Sequence, residues 1–247
     1  RLIVAGDNRY LSGDLLDFLN CLPVTKTGTS KKANTFINFR WALELNHQNF
    51  FAPGAAYQPG HVCTLLRNPH IARNEEMQLY PLEDSKNLRN QYLGHLTDVV
   101  MVGYTSLAAE RLGGADYDGD MIKTISDPIL NECVKRNIHH DPPRPRSIFS
   151  RSHNLPLLMI PTAQPQIRSA DDWEARFETV RSTFSSRVGQ ICNAALDRSI
   201  IAYNENSDAE ERARCREETE TLAILTGLEI DSAKSGIRPD LDEYLTH

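Results

Sequence analysis

Residues 113–120 read Gly113-Gly114-Ala115-Asp116-Tyr117-Asp118-Gly119-Asp120 and run straight into the apolar pair Met121-Ile122. Three carboxylates alternate within five residues between glycines, the pattern of a negatively charged turn beside a strand. In a straight strand the three side chains would point the same way at a spacing of about 6.6 Å. Gly119 can adopt backbone angles closed to other residues, which lets the turn curl until the carboxylates converge. Converging carboxylates repel one another unless a cation neutralises them, and hard oxygen donors of this kind suit Mg²⁺. A calcium loop of the EF-hand type needs Gly at its sixth position and Glu at its twelfth; counted from Asp116 these are Met121 and Asp127, so that reading fails. On spacing alone a catalytic metal turn and a solvated acidic turn both stand, and the double glycine and the strand-like run favour the first.

Outward from this turn, short apolar runs cut by Gly, Pro and Asn fill residues 20–126. Examples are His61–Leu66, Met77–Tyr80, Thr97–Val102 and Met121–Ile125, with Pro53-Gly54 and Pro59-Gly60 as turn signals. The pattern predicts a compact β domain over 21–126, with an inserted helix over 84–96 that Asp84 would cap. Residues 1–20 are expected to form an N-terminal helix and connector, in which Ser12-Gly13-Asp14 precedes Leu15, Leu16, Phe18 and Leu19. Asp127-Pro128 predicts a helix running to about Asn137. Pro142, Pro143, Pro145, Pro156, Pro161 and Pro165 then describe an extended connector carrying Arg144 and Arg146, so 127–170 is a helix and a Pro-rich link. A helical domain is expected over 171–247. Its first helix is long, with Trp173, Phe177, Val180, Phe184, Val188, Ile191 and Ala195 on one face. Its second runs from a Ser207 cap to Thr226, where Gly227 would end it.

The 247 residues are 40% hydrophobic and 24% charged, which excludes disordered, collagenous and coiled-coil classes. No apolar run approaches the ~20 residues of a membrane helix, and no secretory leader is present in the first residues, so a cytoplasmic, intracellular protein without a membrane partner is expected. The chain opens on Arg1 rather than Met, which suggests a piece of something longer. Cys21, Cys63, Cys133, Cys192 and Cys215 never form a C-x-x-C pair and read as reduced thiols. His139-His140 near Cys133 fit no zinc pattern. Net charge is −6, but residues 199–247 alone carry 12 acidic and 5 basic side chains. The acidity thus lies in the C-terminal region and the aspartate turn, and bulk charge does not exclude a nucleic-acid partner.

The turn resembles the Asp-x-Asp-Gly-Asp metal signature of the two-barrel RNA polymerases, closest to single-chain RNA-dependent RNA polymerases of the RNA-silencing type and their bacterial and phage relatives. Four further stretches carry the resemblance in the same order. Leu65-Leu66-Arg67-Asn68-Pro69-His70 is similar to the Arg-Asn-Pro element before the aspartates, and His95–Val100 to the segment between them. Val188–Asp197 resembles the helix after the barrel, and Leu228–Gly236 the Val-Asp-x-x-Lys-Thr-Gly element. Departures are Tyr117 for Leu or Phe, expected to be a mild change for a buried aromatic, and Glu229 and Ser235 for Ala and Thr. Residues 1–60 resemble the family only faintly.

The resemblance implies an α+β fold, a double-psi β-barrel carrying the catalytic Asp turn and followed by a helical region. It implies that Asp116, Asp118 and Asp120 are catalytic and hold Mg²⁺, with Mn²⁺ as the alternative ion. Arg67 would reach the incoming nucleotide's sugar, a structural salt bridge being the other reading. Lys234 would touch phosphate or template, a solvated lysine being the other, and Arg176, Arg181 and Arg187 would face nucleic acid. The implied partners are an RNA or DNA template, nucleoside triphosphates, and a second β-barrel of the same or a longer chain. The expected activity is RNA-directed RNA polymerase-like nucleotidyl transfer, with this piece inactive without the second barrel. A DNA-dependent RNA polymerase of a phage or prophage, and a non-catalytic nucleic-acid-binding module, are the alternatives.

Overall fold

The computed structural model describes residues 3–16, 18, 45–55, 57–58, 60–83, 88–137 and 169–245, without the side chains of 182 and 183. The expected cap at Asp84, His139-His140 and the Pro-rich connector lie outside the described residues. The chain is α+β: a closed six-stranded barrel with helices around and after it.

The strands are β1 (Gly6–Gly13), β2 (Asn49–Phe51), β3 (Cys63–Arg67), β4 (Met77–Pro81), β5 (Val99–Val102) and β6 (Met121–Ile125). Around the barrel the order is β1-β5-β2-β4-β3-β6. β1 with β5 and β2 with β4 pair in parallel; β1 with β6, β2 with β5, β3 with β4 and β3 with β6 pair antiparallel. The inward residues Leu11, Phe50, Leu65, Leu79, Val100, Val102 and Ile122 form one buried core. Each such side chain contributes roughly 1.5–3 kcal/mol on leaving water.

The four apolar runs quoted above become β3 to β6, but β1 corrects the expectation that residues 1–20 precede the barrel. Its inward positions are Asp7, Arg9 and Leu11, so hydrophobic alternation is masked by charge. Arg9 is buried because its guanidinium donates to the Pro53 carbonyl at 2.6 Å and pairs with Asp7 at 2.7 Å. Beyond β1, Asp14 caps a short helical turn as expected, accepting from the Leu16 N–H at 3.1 Å. The same carboxylate pairs with Arg89 of α1 (Leu88–Leu93), inside a second core of Leu16, Leu45, Phe51, Leu93 and Met101.

After α2 (Ala108–Arg111) and β6 comes α3 (Pro128–Asn137), whose first turn donates the Ile129 and Leu130 N–H groups to Asp127 Oδ1, each at 3.0 Å. The long helix expected from residue 171 is two helices, α4 (Trp173–Thr183) and α5 (Val188–Ala202). The break falls at Ser185-Ser186-Arg187, where the Arg187 N–H leaves the helical ladder and donates to Glu229. It divides the apolar face: Trp173, Phe177, Val180 and Phe184 are exposed, whereas Ile191 and Ala195 are buried. The last helix, α6 (Ala209–Ser235), is capped by Asp208 rather than Ser207 and passes through Gly227 to end at Gly236, φ 72°. α5 packs along α6 through Ile191, Ala194, Ala195 and Leu222. The middle of α6 is tied to the 3-10 turn Arg73–Glu75 after β3 by the Arg73–Glu220 ion pair.

Candidate metal centre

Asp120 immediately precedes β6, and its carbonyl accepts from the Leu11 N–H at 2.8 Å, so β1 and β6 together fix the end of the turn. Gly113, Gly114 and Gly119 have φ of 60°, 69° and 126°, the left-handed region that side chains resist. The chain therefore doubles back: the Asp116 N–H donates to Asp120 Oδ2 at 3.0 Å. Arg67, at the end of β3, closes the other side. Its Nη2 donates to Asp120 Oδ1 at 2.8 Å and its Nη1 to the Gly113 carbonyl at 2.9 Å. A fork reaching both ends of one turn is a role the planar guanidinium fills and an ammonium does not. The result is that one oxygen each from Asp116, Asp118 and Asp120 lie within 4.8 Å of one another.

α6 supplies the other wall. A Cβ placed on Gly114 would lie 3.9 Å from the Gly227 Cα, an ordinary van der Waals distance, so the turn stands against this part of the helix. Two turns further, Lys234 Nζ lies 3.3 Å from Asp116 Oδ2 and 3.6 Å from Asp231. The end of α6 is held from below by Glu229, whose side chain is fully buried. It accepts from the Arg187 N–H at 2.9 Å and Nη2 at 3.0 Å, and pairs with Arg238 at 3.4 Å. Burial opposes the Glu229 charge, but these Arg187 hydrogen bonds and the two guanidinium charges outweigh it and hold its carboxyl below the usual range.

Crowding sets the electrostatics of the turn. The hydrogen bond with Asp118 lowers the Asp116 carboxyl, and Lys234 lowers it further; the same bond and the Asp116 charge raise Asp118. Lys234 is raised by its hydrogen bond to Asp116 and by the Asp231 charge. Two carboxylates this close are relieved by a shared proton or by a cation. Oxygens on an octahedral Mg²⁺ lie about 3 Å apart when adjacent and about 4.2 Å when opposite, so three hard oxygen donors up to 4.8 Å apart suit such an ion in kind and would draw together to share it.

Five of the residues singled out in the sequence thus lie together: Asp116, Asp118 and Asp120 on the turn, with Arg67 and Lys234 beside it. Arg67 makes the salt bridge. Arg187, expected to face nucleic acid, is committed to Glu229, and Arg181 pairs with Glu178 on the exposed side of α4. Tyr117 is exposed at the tip of the turn rather than buried. Sequence reasoning missed the buttresses. Glu75, whose Oε2 accepts from the Ile71 and Ala72 N–H groups, presents Oε1 where a Gly113 side chain would stand. The signal for Gly227 was its place inside an otherwise continuous helical pattern.

A family model described as RNA dependent RNA polymerase matches residues 26–247. The chain belongs to the RNA-dependent RNA polymerase family. In this family member the five stretches quoted from the sequence fall on defined elements. Arg67-Asn68-Pro69 leaves β3, with a cis bond between Asn68 and Pro69, and His95–Val100 leads into β5. Val188–Asp197 lies in α5, and Leu228–Gly236 is the end and cap of α6. No curated protein matches the chain. Solved structures do, among them RNA dependent RNA polymerase QDE-1 from Thielavia terrestris, at 15% identity and a TM-score of 0.46 over 97% of this chain. The chain spans 24% of that protein. Among the described residues no helix is long and apolar enough to cross a membrane.

Proposed function

We propose that this chain is the metal-bearing catalytic module of a template-directed RNA polymerase, joining nucleoside triphosphates by phosphodiester formation. The observation that carries the reading is the three converging carboxylates, held by Arg67 and the strands of a closed barrel, in a chain of the RNA-dependent RNA polymerase family. Asp116, Asp118 and Asp120 would hold Mg²⁺, or Mn²⁺ in its place. When bound, the ion activates the 3′-hydroxyl and, with a second ion, stabilises the leaving pyrophosphate. Arg67 holds the turn through Asp120 and the Gly113 carbonyl, and a donor it has left would reach the nucleotide's sugar. Lys234 carries a positive charge to the rim of the site, where triphosphate or template phosphates would pass.

The six-stranded barrel is read as the double-psi form, which its two parallel pairs among antiparallel neighbours support. A second barrel, from the same or a longer chain, would supply the remaining groups on the opposite side of the substrate. The template is RNA on this reading, with DNA as the substrate to be compared. The test is extension of primed and unprimed RNA and DNA templates with labelled nucleotides and Mg²⁺, using a polymerase that contains this chain and its second barrel. Incorporation that is lost in Asp118→Ala, with an unchanged circular-dichroism spectrum, is the expected result. Full activity in that variant, or template binding without any incorporation in either protein, overturns the reading in favour of a binding module.

A further inference from the structure

The cation that a metal would have to replace is already in the site. Lys234 Nζ stands 3.3 Å from Asp116 Oδ2, while Asp120 is engaged by Arg67 and by the Asp116 N–H. The ammonium is delivered by the last turn of a 27-residue helix, and the backbone is fixed on both sides of it. Glu229, one helical turn earlier, is gripped by Arg187 and Arg238, and Gly236 ends the helix two residues later. The side chain itself is two-thirds exposed, so the ammonium can leave Asp116 without breaking the helix, with Asp231 at 3.6 Å as its alternative partner.

We propose that Lys234 is a resident, displaceable counter-ion of the aspartate turn: it neutralises Asp116 while the site holds no divalent cation and gives way when one binds. This rests on reading the three aspartates as the metal ligands. Two consequences follow from linkage. Metal and ammonium compete for one oxygen, so each weakens the other's hold by the same factor. Displacement also leaves the ammonium at the rim, tethered near Asp231, as a point charge for an incoming phosphate oxygen. Arg67 cannot serve this purpose, because its two bonds span the turn and losing them would open it.

The test uses Mn²⁺ as the probe, with the bound fraction read from the electron paramagnetic resonance of the free ion and Mg²⁺ as competitor. Four proteins are compared: the unaltered chain, Lys234→Gln, Lys123→Gln and Asp118→Asn. Lys123 is an exposed lysine on the outer face of β6, three residues past Asp120, and reports the effect of removing a nearby charge without a direct contact. Removing an exposed competitor should tighten Mn²⁺ binding about two- to fivefold in Lys234→Gln, and by less in Lys123→Gln. In parallel, the side-chain ammonium resonance of Lys234, identified by its absence from the ¹⁵N-lysine spectrum of Lys234→Gln, should move when the diamagnetic Mg²⁺ is added. Equal tightening in both lysine variants, weaker binding in Lys234→Gln, or an ammonium resonance unmoved by saturating Mg²⁺ overturns the counter-ion. Mn²⁺ binding absent from the unaltered chain and Lys234→Gln, or undiminished in Asp118→Asn, overturns the metal reading itself.

Discussion

Glu76 closes the 3-10 turn between β3 and β4, facing His70 at 3.6 Å, and its Oε2 is buried with no hydrogen-bond partner among the described residues. Burial pushes its carboxyl from 4.5 up to about 7; Arg73 pulls against this and Glu75 adds to it. His70 is itself lowered by burial, so it offers little positive charge at neutral pH. Between those two values the folded chain holds a proton that the unfolded chain has released, so stability falls as pH rises through that window. The loss is on the order of 3 kcal/mol and is complete above the folded value. Urea denaturation between pH 5 and pH 8 should show this slope in the unaltered chain and its flattening in Glu76→Gln; equal slopes would show that Glu76 ionises as an ordinary carboxyl. Residues of this kind were not legible in the sequence. The Asp116, Asp118 and Asp120 cluster was, because its three carboxylates are neighbours in the chain, and Arg67 and Lys234 were found through motif resemblance. Glu75, Glu76 and Glu229 owe their roles to partners brought by folding, and a lone glutamate carries no mark of that.

At the scale of elements, Glu229 explains where the helices divide. By accepting the Arg187 N–H it anchors the start of α5, where the only local side-chain help among the described residues is Ser186 Oγ, accepting from the Val188 N–H at 3.4 Å, and the arginines at 187 and 238 both bind it. The sequence showed an unbroken apolar period from Trp173 to Ala195, and period alone cannot register a cap supplied from 42 residues away. The same blindness hid β1, whose inward Arg9 and Asp7 satisfy each other, and the course of α6 through Gly227, which lies near Gly114 of the turn. The strands β3 to β6 and the cap of α3 were legible because their signals are apolar runs and local hydrogen bonds. Glu229→Ala leaves two partly exposed guanidinium groups without their buried partner and the Arg187 N–H without its acceptor, and should destabilise the chain by about 1–3 kcal/mol. Thermal and urea denaturation check this; a loss under about 1 kcal/mol would mean that water replaces the carboxylate at no cost.

For the whole molecule, the candidate metal centre depends on two bodies keeping register: a barrel that shapes the aspartate turn and a helical pair that brings Gly227 and Lys234 to it. Part of their joint is polar, beside Ile71, which packs against the core of the helical pair. Arg73 pairs with Glu220, which is almost fully buried, and Asn74 Nδ2 donates to the Glu220 carbonyl at 3.4 Å. Arg111, from the helix just before the aspartate turn, donates to the Asn74 carbonyl at 3.0 Å, so the segment that carries the joint is also tied to the segment that carries the site. Removing Arg73 strands a buried carboxylate on α6 without touching a barrel strand or a carboxylate of the turn, and such breaks cost about 3–5 kcal/mol. If the two bodies are coupled mainly here, the penalty falls on local opening of the helices. Amide exchange in the central turns of α6 should then accelerate about a hundredfold or more in Arg73→Ala, while amides in the β1–β6 and β3–β6 pairings change by much less. Uniform acceleration in both bodies would instead mean that barrel and helices open as one unit, and that the turn and Lys234 are held in register by the whole fold rather than by this joint.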